Sequence, residues 1–322
     1  MFDIVAIGEC LIDFTPSGTN ELGMQLFARN PGGAPANVLA MYAKLGGKTA
    51  FIGKVGTDDF GEFLKKTMSD AGIDISGLAQ TADVPTTLAF VQLNDKGDRS
   101  FTFYRKPGAD VCLCAEEVDE SLLSGCKIFH FGSVSLTAEP SRTATLTAAK
   151  KAKQAGAIIS YDPNYRPLLW ENERCAKDEM LSALPLADIV KVSEEEMTLL
   201  TGETELEKGA KVLAQHGASL VLITLGPKGA FYYAPCGSGT LPTYDVKTID
   251  TTGAGDAFLG ALLYRIAGKT IEQLGAMTGP EWEQTIAFGN AAGSLTTMAK
   301  GAIPAMPTLA QIEHCVQNEK LL

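Results

Sequence analysis

Apolar residues gather in short, nearly continuous runs along this chain: IVAIG (4–8), TAFIGKV (49–55), KIFHFG (127–132), AIISYD (157–162), DIVKVS (188–193) and SLVLITLG (219–226). Runs of this length, rich in β-branched and aromatic residues, predict strands buried on both faces. Stretches with helical punctuation lie between them. PANVLAMYAKL (35–45) has Pro35 near its first helical position and Gly46 just beyond its end, while residues 141–155 open on Ser141, a good N-cap type, and stop at Gly156. Apolar strands alternating with helices predict a mostly parallel sheet covered on both sides, an α/β architecture.

MQLFARN (24–30), LAFVQLN (88–94) and RSFTFYR (99–105) break the rhythm. They read as antiparallel strands, the last two joined by the turn-like Asp95-Lys96-Gly97-Asp98, and predict a small sheet projecting from the main one. No repeat or linker divides the chain elsewhere. One domain over residues 1–322 is therefore expected, with a lid made from two insertions at about 12–30 and 87–110.

Polar residues cluster where the apolar runs end. AIISYD leads into Asp162-Pro163-Asn164-Tyr165-Arg166, DIVKV into Ser193-Glu194-Glu195-Glu196, LVLIT into Leu225-Gly226-Pro227-Lys228-Gly229, and YDVKTI (244–249) into DTTGAGDAF (250–258). Any one of these is readable as a solvated loop. Their shared position matters more, because open parallel sheets bind ligands at the carboxyl ends of their strands. In DTTGAGDAF, Gly253 and Gly255 permit a tight turn with exposed amides, and Ala257, Phe258, Ala261, Leu262 and Leu263 supply the buried face of a following helix. Free amides and the helix dipole form an anion site. Two readings of Asp256 stand: an acid favoured by the dipole at a helix start, or a base that accepts the proton of an attacking hydroxyl while the amides stabilise a transferring phosphoryl group.

Composition narrows the partners. Against 38 Asp and Glu stand 27 Lys and Arg, a formal charge of −11, with no basic cluster, so a polynucleotide is repelled at long range. The 7 cysteines are odd in number, scattered and free of C-x-x-C pairs, which fits a reducing cytoplasm. MFDIVAIGECLIDF lacks a basic flank and reads as a strand instead of a signal peptide, and no apolar run is long enough to span a membrane. His130, His216 and His314 show no metal-ligand spacing. Gly47-Lys48-Thr49 and Gly268-Lys269-Thr270 imitate the end of a P-loop, but Tyr42 and Leu263 occupy the position of its first glycine. Gly8 is followed by Glu9 and Cys10, which excludes a dinucleotide fingerprint after the first strand.

Gly32-Gly33-Ala34-Pro35-Ala36-Asn37 and DTTGAGDAF together resemble the two signatures of the ribokinase-like, or PfkB, carbohydrate kinases. The strand order, the lid insertions and GAIPAMP (301–307) match as well, so the resemblance spans nearly the whole chain. GECLIDF, FYRKPGAD and YDPNYRPLLW look most like the fructokinase branch. The resemblance implies a three-layer sandwich with a mostly parallel central sheet and a small β-sheet lid, and transfer of the ATP γ-phosphoryl group to a sugar hydroxyl, D-fructose giving fructose 6-phosphate.

By position, Asp256 matches the family's catalytic base and Gly253, Ala254 and Gly255 its anion hole. Asp13, Gly33 and Asn37 match positions that bind sugar hydroxyls, although Gly33 is also readable as a turn former and Asn37 as a cap. Arg105 and Arg166 match positions near the sugar and phosphates; an exposed arginine at a strand end is also simply solvated. Thr224, Gly226 and Gly229 match the ATP loop, and Asn290 matches a residue near the adenine or, alternatively, a polar group satisfied within a helix. Glu196 matches the acid of an N-x-x-E motif that holds Mg²⁺ through water, with Ser193 where asparagine is usual. Asp250, Thr252, Thr296, Ala299, Gly301 and Ala305 match a K⁺ site present in many relatives. Two alternatives remain open on the sequence: an acceptor such as 2-keto-3-deoxygluconate, another sugar acid or a nucleoside, and a non-catalytic sugar-binding sensor. The lid's unpaired strand edges and the resemblance imply a homodimer.

Overall fold

The computed structural model describes residues 1–93 and 99–322; the turn at Asp95-Lys96-Gly97-Asp98 lies outside them. Its strands are β1 (Ile4–Ile7), β2 (Leu11–Thr19), β3 (Gln25–Gly32), β4 (Thr49–Gly56), β5 (Ile73–Thr81), β6 (Leu88–Leu93), β7 (Arg99–Tyr104), β8 (Ile128–Gly132), β9 (Ile158–Asp162), β10 (Ile189–Ser193), β11 (Leu220–Thr224), β12 (Ala230–Ala234) and β13 (Gly237–Leu241). Its helices are α1 (Ala34–Lys44), α2 (Asp59–Asp70), α3 (Glu120–Leu123), α4 (Ser141–Gln154), α5 (Glu173–Ala183), α6 (Glu194–Thr201), α7 (Leu206–Ala214), α8 (Ala254–Ile266), α9 (Ile271–Gly275), α10 (Gly279–Thr296) and α11 (Leu309–Asn318).

The large sheet has the order β13-β12-β11-β10-β9-β8-β1-β4-β5. From β5 to β11 neighbouring strands are parallel, and β12 and β13 continue the sheet antiparallel. The apolar runs of the sequence form its centre, and their alternation divides two cores. Val5, Ile7, Phe129, Phe131, Ile159, Tyr161, Val190 and Val192 pack with α4 to α7, while Ile4, Ala6, Ile128, Ile158, Ile189 and Leu222 pack with α1, α2, α8 and α10. Each fully buried Val, Ile, Leu or Phe among them contributes about 1.5–3 kcal/mol. The result is a three-layer sandwich.

On the α1/α8 side the apolar pattern fails toward the carboxyl ends of the strands. His130, Ser160, Asp162 and Lys191 are buried there, at positions alternating with the residues of the opposite core. Above them α1 and α8 pack closely, since a β-carbon on Gly260 would lie 2.6 Å from the Val38 carbonyl oxygen.

The second sheet has the order β3-β2-β6-β7. It is not wholly antiparallel as expected: β6 runs parallel to β2. Strand β2 itself is hidden in the sequence by Pro16 and Gly18, and its pairing with β3 shifts register between Pro16 and Thr19. YDVKTI forms no strand; after the β12–β13 hairpin it makes, among the described residues, one isolated bridge, Tyr244 with Leu321. Ser141 is the first residue of α4, not its cap, and its hydroxyl donates to the Ser135 carbonyl. Among the described residues no helix is long and apolar enough to cross a membrane.

Candidate active site

Two helix N-termini from opposite ends of the chain meet above the carboxyl ends of the strands. Helix α1 starts at Gly33, whose φ of 118° and position suit only glycine: a β-carbon would lie 2.3 Å from the Glu9 carbonyl oxygen. Helix α8 starts at Gly253, left-handed at φ 76°, where a β-carbon would lie 2.4 Å from that of Ala302. The glycines let both turns pack tightly, and Asn37 then reaches Asp256 across 219 residues of chain, its Nδ2 donating to Oδ2 at 2.8 Å. Asn37 caps nothing, since α1 has no side-chain cap, and Asp256, in the first turn of α8, is 8% exposed.

Two cavities open on either side of the α8 entry. The first, about 430 Å³, is lined by Asp13, Gly33, Asn37, Arg166, Lys191 and Asp256 among others. The second, about 440 Å³, is lined by Thr224, Gly226, Gly229 and Asn290 among others. Thr251 and Gly255 line both, so the glycine turn is the wall between them. In the first turn of α8 the Ala254 amide donates to the Thr251 carbonyl at 3.3 Å, and the remaining N-terminal amides, with no carbonyl one turn back, are the donors at that wall. Gly229 is fixed by the same logic as Gly33, since a β-carbon would lie 1.9 Å from the Leu241 carbonyl oxygen.

The first cavity concentrates charge. Burial, the largest influence, raises the pKa of Asp256, against the opposing effects of the Lys191 ammonium, the Asn37 hydrogen bond and Arg166. Asp13 is pushed up to about 6, chiefly by burial, with Arg166 opposing and Asp256 adding to the rise. Glu9, 4% exposed, is raised to about 7 by burial even though its Oε1 accepts from the Ala34 amide at 2.9 Å. Arg166 is exposed at the cavity, with Nη1 donating to the Tyr165 carbonyl.

Several expected residues do something else. Arg105 does not line the cavity: its guanidinium is buried and engaged by Asp110 Oδ2 at 2.7 Å, Thr137 Oγ1 and the Val134 carbonyl, so it ties the end of β7 to the residues after β8. The amide of Asn290 donates to the carbonyls of Leu241 and Pro242, holding the strand exit at the second cavity. Glu196 and Ser193 form a capping box at α6, with Glu196 Oε2 accepting from the Ser193 amide and Oε1 from that of Tyr165. Serine suits the cap, which accounts for Ser193 in local terms.

Asp250, Thr252 and Gly301 come together at the first cavity: Asp250 Oδ1 accepts from the Thr252 amide and hydroxyl, and Oδ2 from the Gly301 amide. Thr296, Ala299 and Ala305 line neither cavity, and the Thr296 hydroxyl donates to the Ala292 carbonyl. Among the described residues no group of three or more His, Cys, Asp or Glu is arranged to hold a metal ion. Each Glu196 oxygen retains a lone pair beyond its amide contact, so the carboxylate can still accept from a metal-bound water.

Sequence reasoning missed Glu9, Asp162 and Lys191. The legible signal was a charged residue inside an otherwise apolar buried strand, as in DIVKVS, because lysine is almost never fully buried without a partner.

Comparison with known proteins agrees with this geometry. Residues 1–309 match the family model described as pfkB family carbohydrate kinase. Fructokinase-1 of Zea mays is 44% identical over 318 residues, covering 98% of each chain. The structure of fructokinase with bound ATP from Xylella fastidiosa superposes with a TM-score of 0.91 at 34% identity, covering 98% of this chain and 99% of that one. Fructokinase from Vibrio cholerae O395, in its fructose, ADP and calcium ion bound form, gives 0.88 at 36% identity with the same coverage.

Proposed function

The chain belongs to the pfkB family of carbohydrate kinases, and from that premise we propose that it transfers the γ-phosphoryl group of ATP to the 6-hydroxyl of D-fructose, giving fructose 6-phosphate and ADP. The observation that carries the reading is the buried Asn37–Asp256 contact beside a glycine turn that separates two cavities. Sugar occupies the first cavity, bound by Asp13, Gly33, Asn37 and Arg166, and nucleotide the second, along Thr224, Gly226, Gly229 and Asn290. Asp256 takes the hydroxyl proton as the new P–O bond forms, and the amides of Gly253, Ala254 and Gly255 stabilise charge on the phosphoryl oxygens. A raised pKa suits the base, because proton transfer is most efficient from an acid–base group poised near the working pH.

Mg²⁺ bound with the nucleotide would neutralise phosphate charge, and Glu196 would hold it through water. Asp250, Thr252 and Gly301, with Thr296, Ala299 and Ala305, form the K⁺ site in this reading. The small sheet is a lid over the sugar, built within one domain, and closes to exclude water. Its open edges β3 and β7, beside the exposed Leu22, Met24, Leu26 and Tyr104, form a homodimer contact. Free cysteines throughout suit a reducing cytoplasm.

The lining of the first cavity favours a neutral acceptor. Glu9, Asp13, Asp250 and Asp256 face it against Arg166, Lys191 and Lys300, so acids outnumber bases, and with Arg105 engaged elsewhere Arg166 is the one arginine among the described residues that lines it. The test is a panel of sugars, sugar acids and nucleosides with Mg·ATP, read by coupled ADP release and identification of the product. Fructose is expected to give the highest kcat/KM and a product phosphorylated at O6. Absence of ADP with every acceptor overturns the kinase reading, and a higher kcat/KM for 2-keto-3-deoxygluconate or a nucleoside transfers the assignment to that acceptor.

A further inference from the structure

Lys191 is 7% exposed, in the middle of β10, on the α8 side of the sheet. Its Nζ donates to Asp162 Oδ2 at 2.7 Å, and among the described residues Asp162 is its only hydrogen-bond acceptor. An ammonium carries three donors. The other two have no partner among the described residues, and the side chain lines the first cavity beside Gly255 and Asp256. A β-carbon on Gly255 would lie 3.1 Å from Nζ, so the missing side chain at Gly255 leaves the ammonium directly behind the amides of the α8 entry.

A purely structural role accounts poorly for this placement. Burying an ion pair in a sheet is costly, and well-packed apolar residues commonly replace such pairs without loss of stability. Desolvation is the largest influence on Lys191 and lowers its pKa, yet Asp162, Glu196 and Asp256 together raise it, so the amine stays charged. His130, also close, is held near 3 by burial and by this ammonium, and is neutral.

Resting on the phosphotransfer reading, we propose that Lys191 is a further catalytic residue: its ammonium donates to a non-bridging oxygen of the phosphoryl group in flight, on the sheet side of the anion hole, and Asp162 is its positioning residue. As the acceptor oxygen bonds phosphorus, the bond from phosphorus to the oxygen of departing ADP breaks and the acceptor proton passes to Asp256. Lys191 keeps its protons throughout. The α8 amides hold the same oxygens from the helix side and Arg166 from the exposed side.

Lys191→Met alone leaves Asp162 buried and unpaired, so the deciding protein is the double variant D162N/K191M, which removes both charges. Thermal unfolding should place it close to the wild type. Its affinity for ADP alone should change by less than about threefold, while its affinity for the fructose–ADP–aluminium fluoride complex and its kcat both fall about 10²–10³-fold. Restored turnover in the stable double variant, or an analogue affinity that falls no further than that for ADP, overturns the proposal and leaves Lys191 a structural counter-ion. If wild-type protein neither forms the analogue complex nor phosphorylates any acceptor, the phosphotransfer reading itself fails, and the role of Lys191 with it.

Discussion

Asp256 works through its surroundings. Asn37 fixes the carboxylate oxygen, and Lys191 and Arg166 keep the charged form accessible in a buried site. Asp256→Asn keeps the shape and removes the base, so kcat should fall by about 10²–10⁴-fold while calorimetry still detects fructose binding; undiminished kcat would remove Asp256 from that role. Since burial lifts the pKa of Asp256, the acid limb of the kcat/KM profile should lie above the range of exposed aspartates. Glu9 makes a separate, thermodynamic prediction. Its pKa rises from 4.5 to about 7 on folding, so between those values the folded state binds more protons than the unfolded. Stability is therefore full below pH 4.5 and falls as pH rises through 7, by roughly 3 kcal/mol for this group alone. Glu9→Gln retains an acceptor for the Ala34 amide and abolishes the titration. Denaturant unfolding at pH 5 and pH 8 should show the wild type losing about that much more than the variant, and equal losses would refute the assignment.

At the scale of elements, the turns that open α1 and α8 decide whether the site forms. Gly253 and Gly268 both have left-handed backbones, at φ 76° and 85°, but only Gly253 is crowded, by Ala302. Gly268→Ala should cost about 1–2 kcal/mol and leave turnover intact. Gly253→Ala carries the same strain and in addition displaces the amides at the cavity wall, so kcat should drop at least about tenfold; equal kcat in the two variants would count against an anion hole at that turn. The apolar strands were legible in the sequence because burial on both faces leaves an uninterrupted signature, as in KIFHFG and SLVLITLG. Strand β2 was not, since Pro16 and Gly18 interrupt it and only pairing with β3 and β6 makes it a strand. YDVKTI forms no strand although it too leads into a polar cluster, because amides of this segment find carbonyls near the C-terminus and after α10, Asp245 to Lys320 and Ile249 to Thr297, instead of a sheet neighbour.

At the scale of the whole molecule, the proposed lid and the proposed dimer contact would use the same small sheet. Sedimentation equilibrium should give twice the 34.1 kDa chain mass, and Leu26→Lys, at an exposed position of edge strand β3, should shift the protein toward monomer. A monomeric wild type at micromolar concentration would refute the dimer. The sequence by itself determined the α/β order and the two glycine-rich helix entries, because each is written in contiguous residues with their own backbone and burial requirements. Only the tertiary structure decided what those entries face. Glu9, Asp162 and Lys191 join the site because strand register and the close packing of α1 on α8 bring them there, and Arg105 leaves it because Asp110 and Thr137 take its guanidinium. Such contacts join side chains far apart in sequence, or turn on burial that only packing creates, and no local pattern along the chain records them.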